Sequence, residues 1–288
     1  MTEVPDVPDV PDLPASPPDL PEILAELHRH PETSGIFADF DGTLSEIVDE
    51  PADAAAVPGA LAALAALADR YRQVGVLSGR PVAFIESAMS GPDAPPGLSA
   101  RLSLAGLYGL ETIVDGERRD HPLGGVWREA VDDIASRSMA RGPEGMRVEG
   151  KGLSLTLHYR GRPEREADVR AWAEDQAARS GLTVRPARMS FELHPPLDVD
   201  KGTALLDLVA PEVDGVRVPR LQAVCFLGDD VGDLPAFDGL DRLADLGLTT
   251  VRIAVRSAEG ASELLDRADL VVDGPSGALA VLDALAAG

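Results

Sequence analysis

The first and last parts of this chain contain short, mostly apolar runs that stop at glycine or polar residues. They occupy residues 36–38, 74–77, 102–107 and 223–227. Runs of this length and composition are typical of buried strands in a parallel sheet. Leucines spaced three apart over residues 61–67 predict a helix with one buried face between the first two strands. The βαβαβ order predicts an α/β fold with a doubly wound, mostly parallel sheet.

The middle of the chain has a different pattern of hydrophobic and polar residues. Leucines alternate with polar residues between positions 147 and 160, which predicts one half-buried antiparallel strand. An Asp-Gly turn at 115–116 predicts a hairpin. The chain is therefore divided into a disordered Pro/Asp-rich tail (1–21), a first part of a core domain (22–111), an inserted α+β cap domain (112–197) and a second part of the core (198–288).

Composition excludes several classes of protein. The 288 residues are 44% hydrophobic and 26% charged, as in ordinary soluble domains. No apolar run reaches the length of about 18 residues that a membrane span needs, so we expect no membrane association. The amino terminus lacks a basic-then-apolar signal, and Cys225 is the one cysteine. Both observations favour a cytoplasmic protein without a disulfide framework.

The charge balance narrows the range of partners. A net charge of −23 argues against nucleic acid, whose phosphates need a basic surface. It also disfavours anionic substrates, unless the site itself supplies positive charge. Of 26 basic residues, 24 are arginines, and the two lysines are Lys151 and Lys201. These lysines are candidates for positions that need a compact ammonium group.

Two aspartates, Asp39 and Asp41, follow the first predicted strand and precede Gly42 and Thr43. Alternation along a strand places both carboxylates on the same side of its carboxyl end, where ligands bind in such sheets. Two converging carboxylates repel each other unless a cation lies between them, and hard oxygen ligands suit Mg²⁺. A simple Asx-type turn with glycine is the alternative interpretation of these residues alone.

The other strand ends carry complementary groups. Ser78 follows the second strand, and Lys201 opens a helix after the insert. A late strand is followed by Asp229, Asp230 and Asp233. Carboxylates for a metal, together with a hydroxyl and an ammonium group for phosphate oxygens, predict a phosphoryl-transfer site. There Asp39 would attack phosphorus to form an aspartyl-phosphate, and Asp41 would serve as general acid and base.

Four motifs in this order resemble those of haloacid-dehalogenase-superfamily phosphatases with a C2-type cap. They are Asp39-Phe-Asp41-Gly42-Thr43, Ser78-Gly-Arg80, Asp200-Lys201-Gly202 and Gly228-Asp229-Asp230-x-x-Asp233. The resemblance implies a nucleophilic Asp39 and an acid/base Asp41. It also implies Mg²⁺ on the Asp39 side chain, the Asp41 carbonyl and Asp229, supported by Asp230 or Asp233. Ser78, Lys201, Gly42 and Thr43 would then bind phosphate.

A narrower resemblance is to the trehalose-6-phosphate phosphatase family. It rests on Asp-Gly-Thr-Leu-Ser-Glu-Ile-Val from Asp41, on Glu149-Gly-Lys151, and on Glu192 ahead of Pro195. The resemblance implies Mg²⁺-dependent hydrolysis of trehalose 6-phosphate to trehalose and phosphate, with Glu149, Lys151 and Glu192 binding the disaccharide hydroxyls. Both lysines of the chain then fall within motifs.

Parity tests part of this assignment. Glu192 alternates with Phe191 and Leu193, so it lies on the polar face of its strand. Glu149 and Lys151 have the parity of the leucines instead, and we expect a bulge at the neighbouring glycines if they face the sugar. For Arg80, a contact with substrate and a hydrogen bond within the turn are both open.

Three positions depart from the family pattern. Gly106-Leu-Tyr-Gly109 stands where Gly-Ser-His-Gly is usual, and His194 stands where arginine is usual. The last motif contains Val-Gly-Asp-Leu in place of x-Thr-Asp-Glu. None of these departures removes a predicted catalytic carboxylate, but each lies near the expected boundary between cap and core or near the metal.

Two alternatives to the leading prediction remain. One is another capped sugar-phosphate phosphatase, acting on sucrose phosphate or a glycosyl phosphoglycerate. The other is a catalytically silent regulatory module of a trehalose-synthesis complex. For the leading prediction we expect a small-molecule sugar phosphate as ligand, no nucleic-acid partner and a monomer.

Overall fold

The computed structural model of the protein describes residues 21–48, 53–91, 93–187, 189–257 and 262–287. Apart from Pro21, the predicted tail lies outside these residues. The strands are β1 Ser34–Ala38, β2 Gln73–Leu77, β3 Ser103–Gly106, β4 Glu111–Val114, β5 Glu117–Asp120, β6 Arg147–Gly150, β7 Leu155–His158, β8 Thr183–Ala187, β9 Ser190–His194, β10 Glu212–Val213, β11 Val216–Arg217, β12 Ala223–Gly228, β13 Thr249–Arg256 and β14 Leu270–Asp273. The α-helices are α1 Ala25–Arg29, α2 Ala60–Arg70, α3 Val82–Ala88, α4 Leu98–Arg101, α5 Gly124–Arg141, α6 Glu166–Ser180, α7 Lys201–Val209, α8 Leu234–Asp245, α9 Ser262–Arg267 and α10 Gly274–Ala286.

The large sheet has eight strands in the order β14-β13-β12-β1-β2-β3-β4-β5. From β14 to β3 neighbouring strands run parallel, and β1 lies between β12 and β2. Every residue of β1 is buried, because helices cover both faces of the sheet. Ile36 packs on one side with α2, α3 and α10, whereas Phe37 packs on the other with α7 and α8. The predicted α/β fold with a mostly parallel sheet is confirmed.

The hairpin of β4 and β5 belongs to this large sheet, so its predicted assignment to the insert is wrong. After β3 the chain makes one short turn and folds back, and Leu104 pairs with Ile113 in antiparallel register. The turn itself is as predicted, with positive φ at both Asp115 and Gly116. Because β3 offers an open edge at this point, the backbone groups of β4 find their partners there and not in a separate domain.

The inserted sheet has four antiparallel strands in the order β6-β7-β9-β8. One face is apolar and packs Leu155, Leu157 and Phe191 against α5 and α6. The single strand predicted over residues 147–160 is wrong, since β6 and β7 are separated by a turn in which Gly152 has φ +85°. The division of the chain into a core and a cap stays a prediction.

Two further features complete the fold. β10 and β11 form a small ribbon after α7, which the sequence analysis did not predict. Among the described residues, no helix combines the length and the apolar character that crossing a membrane requires.

Candidate active site

Asp39 and Asp41 follow β1 directly, but their carboxylates go to different cations. The Asp39 amide continues the sheet by donating to the Leu227 carbonyl at 2.8 Å. Its buried carboxylate lies 2.7 Å from the ammonium group of Lys201. Asp41 is partly exposed and lies with both oxygens against Arg80. The two carboxylates are therefore paired with different side chains, and a metal ion between them stays a prediction.

Lys201 is buried among carboxylates at the start of α7. Asp200 caps this helix, because its side chain accepts from the Thr203 amide at 2.7 Å. The Lys201 ammonium lies 2.6 Å from Asp233 as well as 2.7 Å from Asp39. Burial lowers the pKa of Lys201, but the charges of Asp233 and Asp39, with other contributions, outweigh burial, and the net result is a pKa above the ordinary value. The side chain therefore carries a fixed positive charge at the carboxyl end of β1.

Asp229 and Asp233 complete an acidic cluster with Asp39. Ligand oxygens of the three carboxylates lie within 4.8 Å of one another. Asp233 is held in place because its second oxygen accepts from the amides of Asp229 at 2.9 Å and of Asp230 at 3.2 Å. Asp230 is exposed, and its carboxylate accepts from the Gly232 amide at 2.7 Å. Of the two aspartates considered for metal support, Asp233 lies in the cluster and Asp230 does not.

The electrostatics of this cluster fit a divalent cation. Burial and the charges of Asp233 and Asp230 raise the pKa of Asp229 from 3.8 to about 8. Burial raises the pKa of Asp39 too, although the charge of Lys201 opposes that shift. Three carboxylates facing one ammonium group leave an excess of negative charge. Hard oxygen donors in that situation suit an ion such as Mg²⁺, which would keep all three carboxylates ionised.

Gly42 allows the acidic cluster to approach the loop after β1. Its backbone has φ +80°, a conformation that L-residues seldom adopt. A Cβ atom at this position would lie 2.1 Å from an oxygen of Asp229. The glycine is therefore required by the close approach of Asp229 as well as by its backbone conformation.

Two buried hydroxyls lie at neighbouring strand ends. Ser78 follows β2, and its hydroxyl accepts from the Arg80 amide at 3.1 Å. The hydroxyl of Thr43 is fully buried and has no hydrogen-bond partner among the described residues. A buried hydroxyl without a partner costs about 1–3 kcal/mol. Oxygens of a bound phosphate are one way to satisfy it.

Arg80 holds Asp41 through two parallel hydrogen bonds. Nε donates to Oδ2 at 2.8 Å, and Nη2 donates to Oδ1 at 2.7 Å. The guanidinium also lies 4.6 Å from the centre of the Phe84 ring. Burial lowers the pKa of Arg80, but the hydrogen bonds and charge of Asp41 raise it above its ordinary value. The charge of Glu149, which belongs to the inserted sheet, also raises it. Arg80 thus lies where the two sheets meet.

The polar face of the inserted sheet presents Glu149 and Glu192 on either side of Thr156. Glu149 pairs with Thr156 across β6 and β7, and Thr156 pairs with Glu192 across β7 and β9. Residues directly opposite in an antiparallel pair share a face, so the parity assigned to Glu149 from the leucines is wrong. The turn at Gly152 resets the alternation, and no bulge is needed.

Hydrogen bonds orient these carboxylates. Ser154 donates to Glu192 at 2.8 Å, and Glu149 lies 2.8 Å from the ring nitrogen of His158. Burial raises the pKa of Glu149, but the hydrogen bond from His158 and the charge of Lys151 lower it below its ordinary value. Thr156 is buried and its hydroxyl has no partner within the described part of the chain.

One contact between the two sheets was not predicted from the sequence. The guanidinium of Arg185, on β8, lies 4.7 Å from the centre of the Tyr108 ring, in the turn after β3. Both residues, with Glu192 and Ser154, line a small cavity at this junction. The departure from the usual motif at Tyr108 was the available signal, but the sequence contained none for Arg185.

Comparison with known proteins places this arrangement in a family. Residues 37–271 match the family model described as trehalose-phosphatase. The chain is 33% identical over 248 residues to the trehalose-phosphate phosphatase of Mycobacterium ulcerans, which covers 83% of this chain and 59% of that protein. It is also 33% identical over 231 residues to the Mycobacterium leprae enzyme of that name, covering 78% of this chain and 51% of that protein.

A solved structure agrees on the fold. The C-terminal domain of Candida albicans trehalose-6-phosphate phosphatase superposes with a TM-score of 0.70 at 22% identity, covering 93% of this chain and 97% of that one. The chain spans between about half and three-fifths of the length of the curated relatives named above. On the extent of the family match and the identity to these relatives, the chain belongs to the trehalose-phosphatase family.

Proposed function

We propose that the chain hydrolyses trehalose 6-phosphate to trehalose and phosphate, with Asp39 as nucleophile. The observation that carries the proposal is the contact between the Asp39 carboxylate and the Lys201 ammonium group, which are 2.7 Å apart. Asp229 and Asp233 lie beside this pair. The Lys201 ammonium group holds the Asp39 carboxylate in place, and the same positive charge can attract the oxygens of an incoming phosphate. In a chain of net charge −23, such a local cation is what an anionic substrate needs.

The chain's own residues supply the groups for both chemical steps. Asp39 attacks phosphorus in line, and the bond from phosphorus to the sugar oxygen breaks while Asp41 donates a proton to that oxygen. Water then attacks the aspartyl-phosphate, with Asp41 taking the proton. Both oxygens of Asp41 accept from Arg80, so Arg80 orients the carboxyl group that carries the proton.

The phosphate would be held by the hydroxyls of Ser78 and Thr43 and by Lys201. It would lie next to Gly42, whose own amide donates to the Ser45 carbonyl at 2.9 Å. The Thr43 hydroxyl has no hydrogen-bond partner among the residues that the structure describes, which supports this assignment. Mg²⁺ on Asp39, Asp229 and Asp233, with the Asp41 carbonyl that the family resemblance implies, would offset the charge of the phosphate oxygens.

The sugar would lie against the polar face of the inserted sheet. Glu149, Lys151 and Glu192 are the proposed contacts for the disaccharide hydroxyls, and Thr156 offers a further hydroxyl between the two glutamates. The cavity at the junction lies beside this face, with Glu192 in its lining. We infer that the inserted sheet closes over the bound sugar phosphate and excludes water from it. A cytoplasmic monomer remains part of this proposal.

The test is phosphate release from a panel of sugar phosphates, in Mg²⁺ or in EDTA. Wild type is compared with Asp39→Asn and with Asp245→Asn, an exposed aspartate on α8 that serves as the matched control. Preference for trehalose 6-phosphate, with dependence on both metal and Asp39, supports the proposal. Preference for sucrose phosphate or a glycosyl phosphoglycerate contradicts the substrate, and activity on none of them favours the silent regulatory module.

A further inference from the structure

The turn after β3 holds Tyr108 in a strained and well-anchored position. Leu107 and Tyr108 both have positive φ, 50° and 60°, which costs about 1–2 kcal/mol for each non-glycine residue. The Leu107 amide donates to the Arg80 carbonyl at 2.8 Å, and the Tyr108 amide donates to the Ser78 carbonyl at 3.0 Å. Strain of this kind persists only where the surroundings hold the residue in place, and here the proposed phosphate-binding loop does so.

The phenol of Tyr108 lies across that loop. A Cβ atom at Gly79 would lie 2.8 Å from the Tyr108 hydroxyl, so the absence of a side chain at Gly79 leaves the room that the phenol fills. The hydroxyl therefore lies against Gly79, the residue that follows Ser78.

The inserted sheet contributes a charged pair around the same ring. Arg185 and Glu192 are directly opposite each other across β8 and β9, and Arg185 lies 4.7 Å from the ring centre. The charge of Glu192, followed by burial, raises the pKa of Tyr108, so the phenol stays neutral and remains a hydrogen-bond donor. A hydroxyl donor beside a carboxylate acceptor is a pair that one sugar hydroxyl can bridge.

We propose that Tyr108, positioned by Arg185, is a specificity-determining contact for the sugar of the substrate. Its hydroxyl donates to a sugar hydroxyl that in turn donates to Glu192. This inference rests on the proposed function and deepens it, because it assigns a role to a residue in the motif where this chain departs from its family. A phosphate ester without such a hydroxyl leaves both groups unpaired, which is how polar sites reject incomplete analogues.

The experiment measures kcat/KM for trehalose 6-phosphate and for p-nitrophenyl phosphate, which has no sugar. Tyr108→Phe removes the hydroxyl and keeps the ring against Arg185. We expect the ratio of the two values to fall about tenfold, as for loss of one hydrogen bond. Arg185→Gln lowers the ratio in the same direction, because the ring loses its support.

Tyr159→Phe is the matched control. Tyr159 lies on the apolar face of the inserted sheet against Phe191, and this substitution leaves the ratio unchanged. An unchanged ratio in Tyr108→Phe overturns the inference, since the residue then only packs at the junction. If wild type prefers another sugar phosphate, the proposed function fails, and the same ratio measured with that ester still decides the role of Tyr108.

Discussion

Replacing Gly42 with alanine separates backbone strain from damage to the acidic cluster. The new Cβ lies 2.1 Å from an Asp229 oxygen, and two atoms of this kind need more than 3 Å. The carboxylate has to move by about 1 Å, and a displacement of this size in a catalytic group costs about a hundredfold in rate. The positive φ of 80° adds about 1–2 kcal/mol of destabilisation for any L-residue.

Gly116→Ala supplies the matched control. Gly116 has φ +75° in the turn between β4 and β5, and a Cβ there has open space. Both variants should lose about 1–2 kcal/mol in urea unfolding from the backbone, and Gly42→Ala should lose more because its Cβ overlaps the Asp229 carboxylate. Only Gly42→Ala should lose kcat/KM by about a hundredfold and need more Mg²⁺ for half-maximal activity. Equal activity losses in the two variants, or none in Gly42→Ala, would refute the role assigned to the approach of Asp229.

Two further predictions concern the charged groups. The pKa of Asp229 rises from 3.8 to about 8 on folding, so the folded state binds more protons and loses stability as pH rises from about 4 to about 8. In EDTA, Asp229→Asn should therefore be more stable than wild type. The difference in free energy of unfolding should grow across this pH window to on the order of 5 kcal/mol. A difference that does not change with pH in urea titrations would contradict this. Arg80→Lys keeps the charge but loses the paired hydrogen bonds to Asp41, so kcat should fall about tenfold with a smaller change in KM. A rise in KM alone would instead make Arg80 a substrate contact.

The sequence predicted the strand ends because parallel strands present their carboxyl ends at one edge of a sheet. Asp39, Lys201, Asp229 and Asp233 lie together for this reason, although they are distant along the chain. The local pattern of apolar and polar residues was enough to predict this clustering, because a polar residue that ends a buried strand lies at the edge of the sheet.

Contacts that depend on register or on the partner of a side chain were not predictable in the same way. Alternation along a strand does not identify the partner of a side chain, so the pairing of both Asp41 oxygens with Arg80, on another strand end, was not predicted. Parity failed for Glu149 because a turn intervened before the leucines. The hairpin after β3 was misassigned, since alternation does not say which open edge a strand will join.

The most direct test of the account is whether the phosphoryl group of trehalose 6-phosphate is transferred to Asp39. A single turnover is quenched in acid and the protein is digested for mass spectrometry, with Asp39→Asn as the control. The account predicts a phosphoryl group on Asp39 in wild type and none in Asp39→Asn. A phosphoryl group on another residue, or phosphate release at the wild-type rate from Asp39→Asn, would contradict it.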